Sequence, residues 1–524
     1  MVTIAGFAGN RGRNLLNLDD LEPGGATLGV IVTNHADAPI IESAAKRGIP
    51  TVVVERDDGE DRQDHEARIL EELESHEFDL VCLDGYMRIL SGWMLDRLPV
   101  TLNVHPSLLP LFPGMDAWGD ALDAGVSVSG CTVHVVTAEV DEGPIVTQEP
   151  VPVHPGDSVA TLKRRILYEG EFKAYPRAVR WFAQDRVEVT DDRSSVSIDP
   201  FDGDLHEVDF VSGDQVEPLR YGENPHQRAA VYVDPTRDEA SVAGAPQLNP
   251  NAKALSYNNV NDADAAYRGV LEFDDTACTV IKHANPAGAA MADTPVEAYE
   301  AALSTDPMSA FGGIVALNEA CDGETASAIT ESFKETVIAP SFSDEALEIL
   351  EDAGSIRVLE VPHRDNDRAL QRRSVLGGHL VQDPDEQTIT ADDLEVVTDR
   401  EPTDAQLDSM TFGWRVAKHA ASNAIVLVDG TETVGIGQGQ VSRVDAVHLA
   451  IRKAREHAEG KDPAGSILVS DGFFPFADGL ELAAEAGIEA VVQPGGSRND
   501  DEVIEAANDH GITMTFTGTR CFRH

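Results

Sequence analysis

Over its first 190 residues the chain alternates short apolar runs with amphipathic stretches, and this restricts the fold more than any single residue does. VTIAGFAG is an apolar run ending in glycine. LGVIVTN, APIIESAAKRG and IPTVVVER read as strand, helix, strand. FDLVCLDGY and VTLNVHP have the character of buried strands, and TLKRRILYEGEFKAYPRAVRWFAQ that of a helix. Strands that each feed a helix predict an α/β domain with a doubly wound sheet, its site outside the carboxyl ends of the strands.

The alternation stops at residues 189–206, which lose apolar periodicity and gain Asp, Ser, Gly and Pro. That change predicts an acidic linker between domains at 1–188 and 207–524. Beyond it, strand-like TACTVIKHA, GGIVALN, AIVLVDG, SILVSD and AVVQPGG alternate with helix-like VDAVHLAIRKAREHAEG, LELAAEAG and DEVIEAANDHG. No fixed-period solenoid repeat is visible.

The formal charge is −52, and acidic residues are dispersed rather than gathered in a tail. Only nine of the 40 basic residues are lysine. Self-repulsion of this size is screened where the Debye length shrinks to about 3 Å in molar salt, so the expected setting is a salt-rich cytoplasm, that of a halophile. A hydrophobic fraction of 42% argues against disorder. Without a basic face, no nucleic-acid partner is expected. The five cysteines are scattered with no CxxC or His/Cys ligand spacing, so neither a disulfide framework nor a metal site is expected. The start lacks signal-peptide character, and no run approaches the ~20 apolar residues of a membrane span; no membrane partner is expected.

Gly9-Asn10-Arg11-Gly12-Arg13-Asn14 follows the first apolar run. Backbone N–H groups in such a turn can cradle a phosphate; an ordinary strand-to-helix turn has the same look. Asn103 and His105 are two apart at a strand end and share one face, ahead of Pro106 and Pro110. A carboxamide donor beside an imidazole suits stabilisation of a tetrahedral oxyanion, although a capped, packed turn has equal claim to these residues. Asp141, in TAEVDEGPIV, would orient His105 or relay a proton.

With Gly85-Tyr86-Met87-Arg88-Ile89-Leu90, NVHPSLLP, Cys131-Thr132-Val133-His134, Asp141-Glu142-Gly143-Pro144, and Tyr175-Pro176 followed by Trp181-Phe182-Ala183, residues 1–188 resemble phosphoribosylglycinamide formyltransferase. The resemblance implies a catalytic trio of Asn103, His105 and Asp141. It implies folate contacts from Arg88, Ile89 and Leu90, contact with substrate or folate from His134, and a phosphate loop of Gly12, Arg13 and Asn14. The loop departs from the family in Arg11 and Arg13, and Gly114-Met115-Asp116-Ala117-Trp118 lacks the histidines common there. A methionyl-tRNA formyltransferase shares NxHxSLLP, but continues into an RG-containing loop and a basic extension that this chain lacks.

In the second half, Leu219-Arg220-Tyr221-Gly222-Glu223-Asn224-Pro225-His226-Gln227 reads as a donor-rich, capped turn. Lys282 and His283 end the apolar TACTVI run, as surface groups or as a reactive pair. GIGQGQ is glycine-rich without being a dinucleotide fingerprint. SDGFFPFADG is either a hydrophobic turn or the floor of an aromatic pocket.

With KALSYNN, KHANPAG, DPMSAFGGI, WRVAKHAASNA, GIGQGQVSRVDA, SDGFFPFADG, QPGGS and FRH, residues 207–524 resemble the transformylase domain of phosphoribosylaminoimidazolecarboxamide formyltransferase. That implies a pair of cytidine-deaminase-like α/β units, active as a homodimer through this domain. It implies Lys282 and His283 at the catalytic centre and Asn423 on the oxyanion. Arg220, with Tyr221, and Arg443 would contact anionic groups, and Phe473 and Phe474 would line a pterin pocket near Asp471. A zinc deaminase would need PCxxC, which is absent.

Together the two resemblances imply 10-formyltetrahydrofolate as cosubstrate and two small ribotides as formyl acceptors. They imply no redox cofactor and no catalytic metal; a structural monovalent cation in the second domain is compatible with the family. That family carries an IMP cyclohydrolase domain ahead of the transformylase. Here formyltransferase-like residues stand in its place, so ring closure is expected from a separate protein. Two rival readings are a first domain that binds a phosphorylated ligand or partner without catalysis, and a formate-plus-ATP donor, for which no GxxxxGK[ST] loop exists.

Overall fold

A computed structural model describes residues 2–199, 205, 208–233, 241–362 and 370–524. The chain divides into two compact units, Met1–Asp209 and Phe210–His524.

The first unit is a seven-stranded sheet: β1 (Thr3–Ala8), β2 (Thr27–Thr33), β3 (Thr51–Val53), β4 (Leu80–Asp84), β5 (Thr101–His105), β6 (Val128–Val135) and β7 (Ile145–Pro152), in the order β3-β2-β1-β4-β5-β6-β7. The first five strands run parallel, and β6 and β7 are antiparallel additions. Alternate residues of β1 explain its apolar character, since successive side chains of a strand point to opposite faces. Ile4 and Ala8 enter one buried cluster with Leu15 and Leu18 of the helix Arg13–Leu21. Ala5 and Phe7 enter the other with Ile69 and Leu73 of the helix Arg62–Leu73. The strand order reverses between β1 and β4, and the loops at their carboxyl ends, Gly9–Gly12 and Gly85–Arg88, form the switch point where such folds bind ligands.

Two local readings change. The segment expected to be one helix consists of helix Val159–Arg165, a π-helical turn Ile166–Glu171, and helix Phe172–Ala183, which contains Pro176. The expected linker is folded in its first part: β8 (Val187–Val189) pairs with β9 (Val196–Ile198), and Val187, Val189, Val196 and Ile198 pack on the first unit's core. Three-residue strands are too short for their period to stand out among Asp and Ser. Residues 200–204, 206 and 207 lie outside the described residues.

The second unit begins with the hairpin β10 (Asp214–Leu219) and β11 (Ala229–Val233). Its body is one eleven-stranded sheet built of two similar halves. The first contains β12 (Ala277–Lys282), β13 (Asn285–Met291), β14 (Ile314–Leu317), β15 (Thr336–Ala339) and β16 (Arg357–Glu360). After the separate hairpin β17 (Gln371–Val375) and β18 (Gly378–Gln382) and the short β19 (Glu395–Val396), the second contains β20 (Ile425–Asp429), β21 (Glu432–Gly437), β22 (Ile467–Ser470), β23 (Ala490–Gln493) and β24 (Thr513–Phe516). Each half has an antiparallel hairpin, a third strand antiparallel to its first, then two parallel additions. The halves meet where β13 pairs with β21. The helices Tyr257–Val270 and Asp404–Ala417 share one buried cluster, while the other face has a separate cluster for each half.

Candidate active sites

In the first unit, antiparallel pairing sets Asn103 opposite His134 and His105 opposite Thr132. Asn103 Nδ2 lies 3.1 Å from His134 Nε2, and His134 Nδ1 lies 3.1 Å from the Val135 carbonyl. A carbonyl can only accept, so Nδ1 carries the proton there. Burial pushes the His134 pKa down, so the ring is neutral and Nε2 accepts from Asn103. His134 thereby fixes which way the Asn103 carboxamide faces.

His105, 4% exposed, is held at both ring nitrogens. Nδ1 is 3.3 Å from Asp141 Oδ2 and Nε2 is 2.9 Å from the Phe112 carbonyl. Both partners are acceptors, so the cationic ring satisfies both whereas a neutral tautomer leaves one mismatched. Asp141 also accepts the Gly114 N–H at 3.0 Å, and its Oδ1 is 3.8 Å from His134 Nε2. The turn that carries Asp141 has a strict requirement. A Cβ on Gly143 would stand 1.7 Å from the Val135 carbonyl oxygen, so only glycine lets this loop approach β6. Behind the site, Thr132 Oγ1 donates to the Ser107 carbonyl and accepts the Leu109 N–H, fixing the start of the proline-rich loop.

The phosphate-loop expectation is corrected at Asn14. Its side chain is buried and turned inward: Nδ2 donates to Glu171 Oε2 at 2.7 Å and Asp84 Oδ1 at 3.2 Å, and its backbone N–H donates to Asp84 Oδ2 at 2.7 Å. Asn14 supports the loop from beneath, leaving its own donors no ligand. Burial raises both carboxyls, that of Glu171 to about 7. Gly12 caps the helix at φ 56°, where a Cβ would meet Ile40, and Arg11 and Arg13 are exposed beside it. In the next loop, Arg88 and Ile89 are exposed, whereas Leu90, expected on the folate, is 3% exposed and belongs to the core. Met87, Ile89, Leu111, Met115 and Val140 are exposed apolar side chains on loops at this end of the sheet.

In the second unit, Lys282 ends β12 and begins the turn to β13. Lys282, His283, Asn285, Pro286, Ala287, Ser309, Gln438 and Lys453 line a cavity of about 300 Å³. Lys282 Nζ donates to the Phe311 carbonyl at 2.7 Å. Lys453 arrives from the helix Arg443–Glu456 and pairs with Asp306 at 3.2 Å. Ser309, Gln438 and Lys453 were not singled out from the sequence. They lay inside DPMSAFGGI, GIGQGQ and a basic helix, but nothing local marked them as neighbours of Lys282.

Other expected residues stand outside this lining. Arg443 and Asp471 are buried partners of each other, and they contact the Ala424 carbonyl and Ser422 Oγ respectively. Arg443 therefore meets an internal carboxylate through Nη1. Phe474 is 0% exposed in the core and is not a pocket wall; Phe473, at 44%, is the exposed member of the pair. Asn423 Nδ2 donates to the Gln440 carbonyl at 2.8 Å, leaving its second N–H free of that bond. Arg220 is exposed, its guanidinium 5.3 Å from the Tyr221 ring, at the start of a turn closed by Gln227.

All five cysteines are free and buried, with thiols pushed up by burial, Cys82 and Cys321 to about 12. None has the exposed, low-pKa character of a nucleophilic thiol. Among the described residues no cluster of His, Cys, Asp or Glu is arranged to hold a metal ion, and no helix is long and apolar enough to cross a membrane.

Residues 2–179 match the formyl transferase family model, and residues 177–453 match that of the AICARFT/IMPCHase bienzyme. Two curated relatives are called bifunctional purine biosynthesis protein PurH. The protein from Halalkalibacterium halodurans is 49% identical over 315 residues, 60% of either chain, and that from Persephonella marina 49% over 311 residues, 59% of either chain. The chain thus spans about 60% of the length of the curated relatives it matches. Glycinamide ribonucleotide transformylase 1 from Symbiobacterium toebii is a solved structure 42% identical to this chain, with a TM-score of 0.36, covering 38% of this chain and 95% of its own. With more than half of its residues in one family match, the chain belongs to the AICARFT/IMPCHase bienzyme family.

Proposed function

We propose that the protein is a bifunctional, folate-dependent formyltransferase of purine biosynthesis. It transfers the formyl group of 10-formyltetrahydrofolate to the amine of glycinamide ribotide in the first unit and of aminoimidazole carboxamide ribotide in the second. The observation that carries the reading is the Asn103–His134 and His105–Asp141 cluster, whose oriented donors and coupled carboxylate suit a tetrahedral oxyanion and a moving proton. The acceptor amine attacks the formyl carbon, the bond from that carbon to folate N10 breaks, and the amine proton is passed on as N10 gains one. Asn103 donates to the oxyanion, and the formyl oxygen replaces the Phe112 carbonyl as partner of His105 Nε2. Asp141 holds the imidazolium and carries the proton.

An aromatic amine conjugated to a carboxamide is a weak nucleophile, so the second reaction needs a base at the amine and an acid at N10. His283 and Lys282, side by side on one cavity, supply them. Asn423 is the donor for the oxyanion in this reading, with Arg220, Tyr221 and Phe473 on the ligands. The duplicated sheet supports a pair of cytidine-deaminase-like units. Exposed Met308, on the short helix Pro307–Ala310, and Phe311 and Phe333, on the loops that follow helices, support a homodimer through the second unit. The charge of −52 supports a salt-rich cytoplasm. Ring closure falls to a separate polypeptide, a reading that IMP formation by the pure protein would defeat. A monovalent cation remains compatible with the second unit.

The deciding assay supplies each ribotide with 10-formyltetrahydrofolate at molar salt. Both formylations are expected, and Asp141→Asn is expected to remove only the glycinamide reaction. A wild-type protein that formylates the carboxamide but not glycinamide ribotide would make the first unit a binding module. Activity retained with formate and ATP in place of the folate would overturn the donor.

A further inference from the structure

Lys282 and His283 stand on a turn that L-amino acids resist. His283 and Ala284 are consecutive non-glycine residues with φ of 53° and 57°. Such a conformation is strained for L-residues and persists only where its surroundings over-determine it. Here two charged side chains grip the turn. Asp262, on the helix Tyr257–Val270, accepts the N–H of His283 at 3.0 Å and of Ala284 at 2.8 Å. Arg523 donates Nη1 to the Ala284 carbonyl at 3.1 Å and to the His419 carbonyl at 2.5 Å. Ala284 therefore has both its amide and its carbonyl tied.

Arg523 is itself fixed, for its carbonyl accepts the Ser422 N–H at 2.9 Å and its N–H meets Ser422 Oγ at 3.2 Å. Among the described residues no carboxylate lies within ion-pair distance of its guanidinium, which is desolvated against main-chain carbonyls, with Asp264 the nearby charge that favours it and Arg268 the one that opposes it. An unpaired cation in a half-buried position is costly, and the second carbonyl lies just beyond the end of the helix Asp404–Ala417, where positive charge is favoured. Asn285 adds a third tie, donating to the His283 carbonyl and accepting the Ala421 N–H.

We infer that Asp262 and Arg523 are a positioning pair that holds the Lys282–Asn285 turn in its reactive conformation. The catalytic part of this inference rests on the carboxamide-ribotide reading above; the structural part does not. Neither residue is assigned contact with substrate, and both act through the backbone of His283 and Ala284.

The test uses the full-length protein at molar salt with Arg523→Gln, Arg523→Lys and Asp262→Asn. Amide hydrogen exchange over residues 282–286 is expected to quicken about tenfold or more in Arg523→Gln and Asp262→Asn, while the strand Ile425–Asp429 keeps its wild-type rate. For the carboxamide ribotide, kcat is expected to fall about tenfold with KM within about twofold, because misplacing a reacting group by a fraction of an ångström costs rate more than binding. Arg523→Lys restores part of kcat. Wild-type exchange over 282–286 in both folded variants overturns the pair, as does an equal rise in the strand. A kcat within about twofold of wild type, once those amides are freed, also overturns it. A wild-type protein with no carboxamide formylation overturns the functional reading, and the exchange arm then still decides whether the pair holds the turn.

Discussion

The two candidate sites solve one problem by different means. In the first unit, functional side chains orient one another: His134 aims Asn103, and Asp141 meets His105. Asn103, His105 and His134 lie on ordinary strands whose register brings them within reach, and Asp141 alone comes from a turn, at φ 58°. In the second, Lys282 and His283 begin a turn that is left-handed at His283 and Ala284, and the restraints fall on amides and carbonyls rather than on the side chains. A side-chain network should fail when one member is removed, whereas a restrained turn should fail by degrees as each tie is cut.

The strongest attempt to break that comparison is a pair of opposed substitutions. His105→Ala is expected to lower the glycinamide reaction about a thousandfold and leave the carboxamide reaction intact; Lys282→Ala should do the reverse. Rate measurements on both ribotides check this, and loss of both activities in either folded variant would show that the sites are not independent. A smaller effect sharpens the account of the first site. His134→Leu leaves Asn103 without its orienting acceptor, and kcat for glycinamide ribotide is expected to fall about tenfold with the fold retained. An unchanged kcat would show that Asn103 is aimed by something else.

The smallest effect concerns stability. Glu171 is held at about 7, above the usual 4.5 of its carboxyl, because burial disfavours its charge. The folded state therefore binds this proton more tightly than the unfolded chain does. Its contribution is complete below pH 4.5 and is lost as pH rises through about 7, a change on the order of 3 kcal/mol at 1.36 kcal/mol per pKa unit. Glu171→Gln should flatten this fall in denaturant midpoints taken from pH 5 to 8 at constant salt. Asp84, raised by the same burial, leaves a residual slope. A slope as steep as wild type would move the titration away from Glu171.

Legibility followed the range of the physics. The strands of the first sheet were readable because both faces are buried and the apolar runs are nearly continuous. Asn103 and His105 were readable as a pair because a period of two is local. His134 came forward only through a family motif, since cross-strand register is not written in either strand alone. The inward turn of Asn14 was hidden for a related reason, as its partners Asp84 and Glu171 lie far along the chain. Arg443 and Phe474 were expected on ligands only through the family resemblance, which carries no word of their partners within this chain; one meets Asp471 and the other fills a core.

By itself the sequence determined the α/β class, the division into two halves, and the chemistry on offer at each: an amide, an imidazole and a carboxylate in one, an ammonium and an imidazole in the other. Those depend on residue type and short-range periodicity, which a linear chain carries in full. Tertiary structure alone decided which donors are used within the protein, as those of Asn14 and Arg443 are. It also showed the duplication of the second sheet and the grip of Asp262 and Arg523 on the turn bearing Lys282 and His283. A hydrogen bond between residues hundreds of positions apart leaves no local trace, because its energy depends on a distance that only the folded chain fixes.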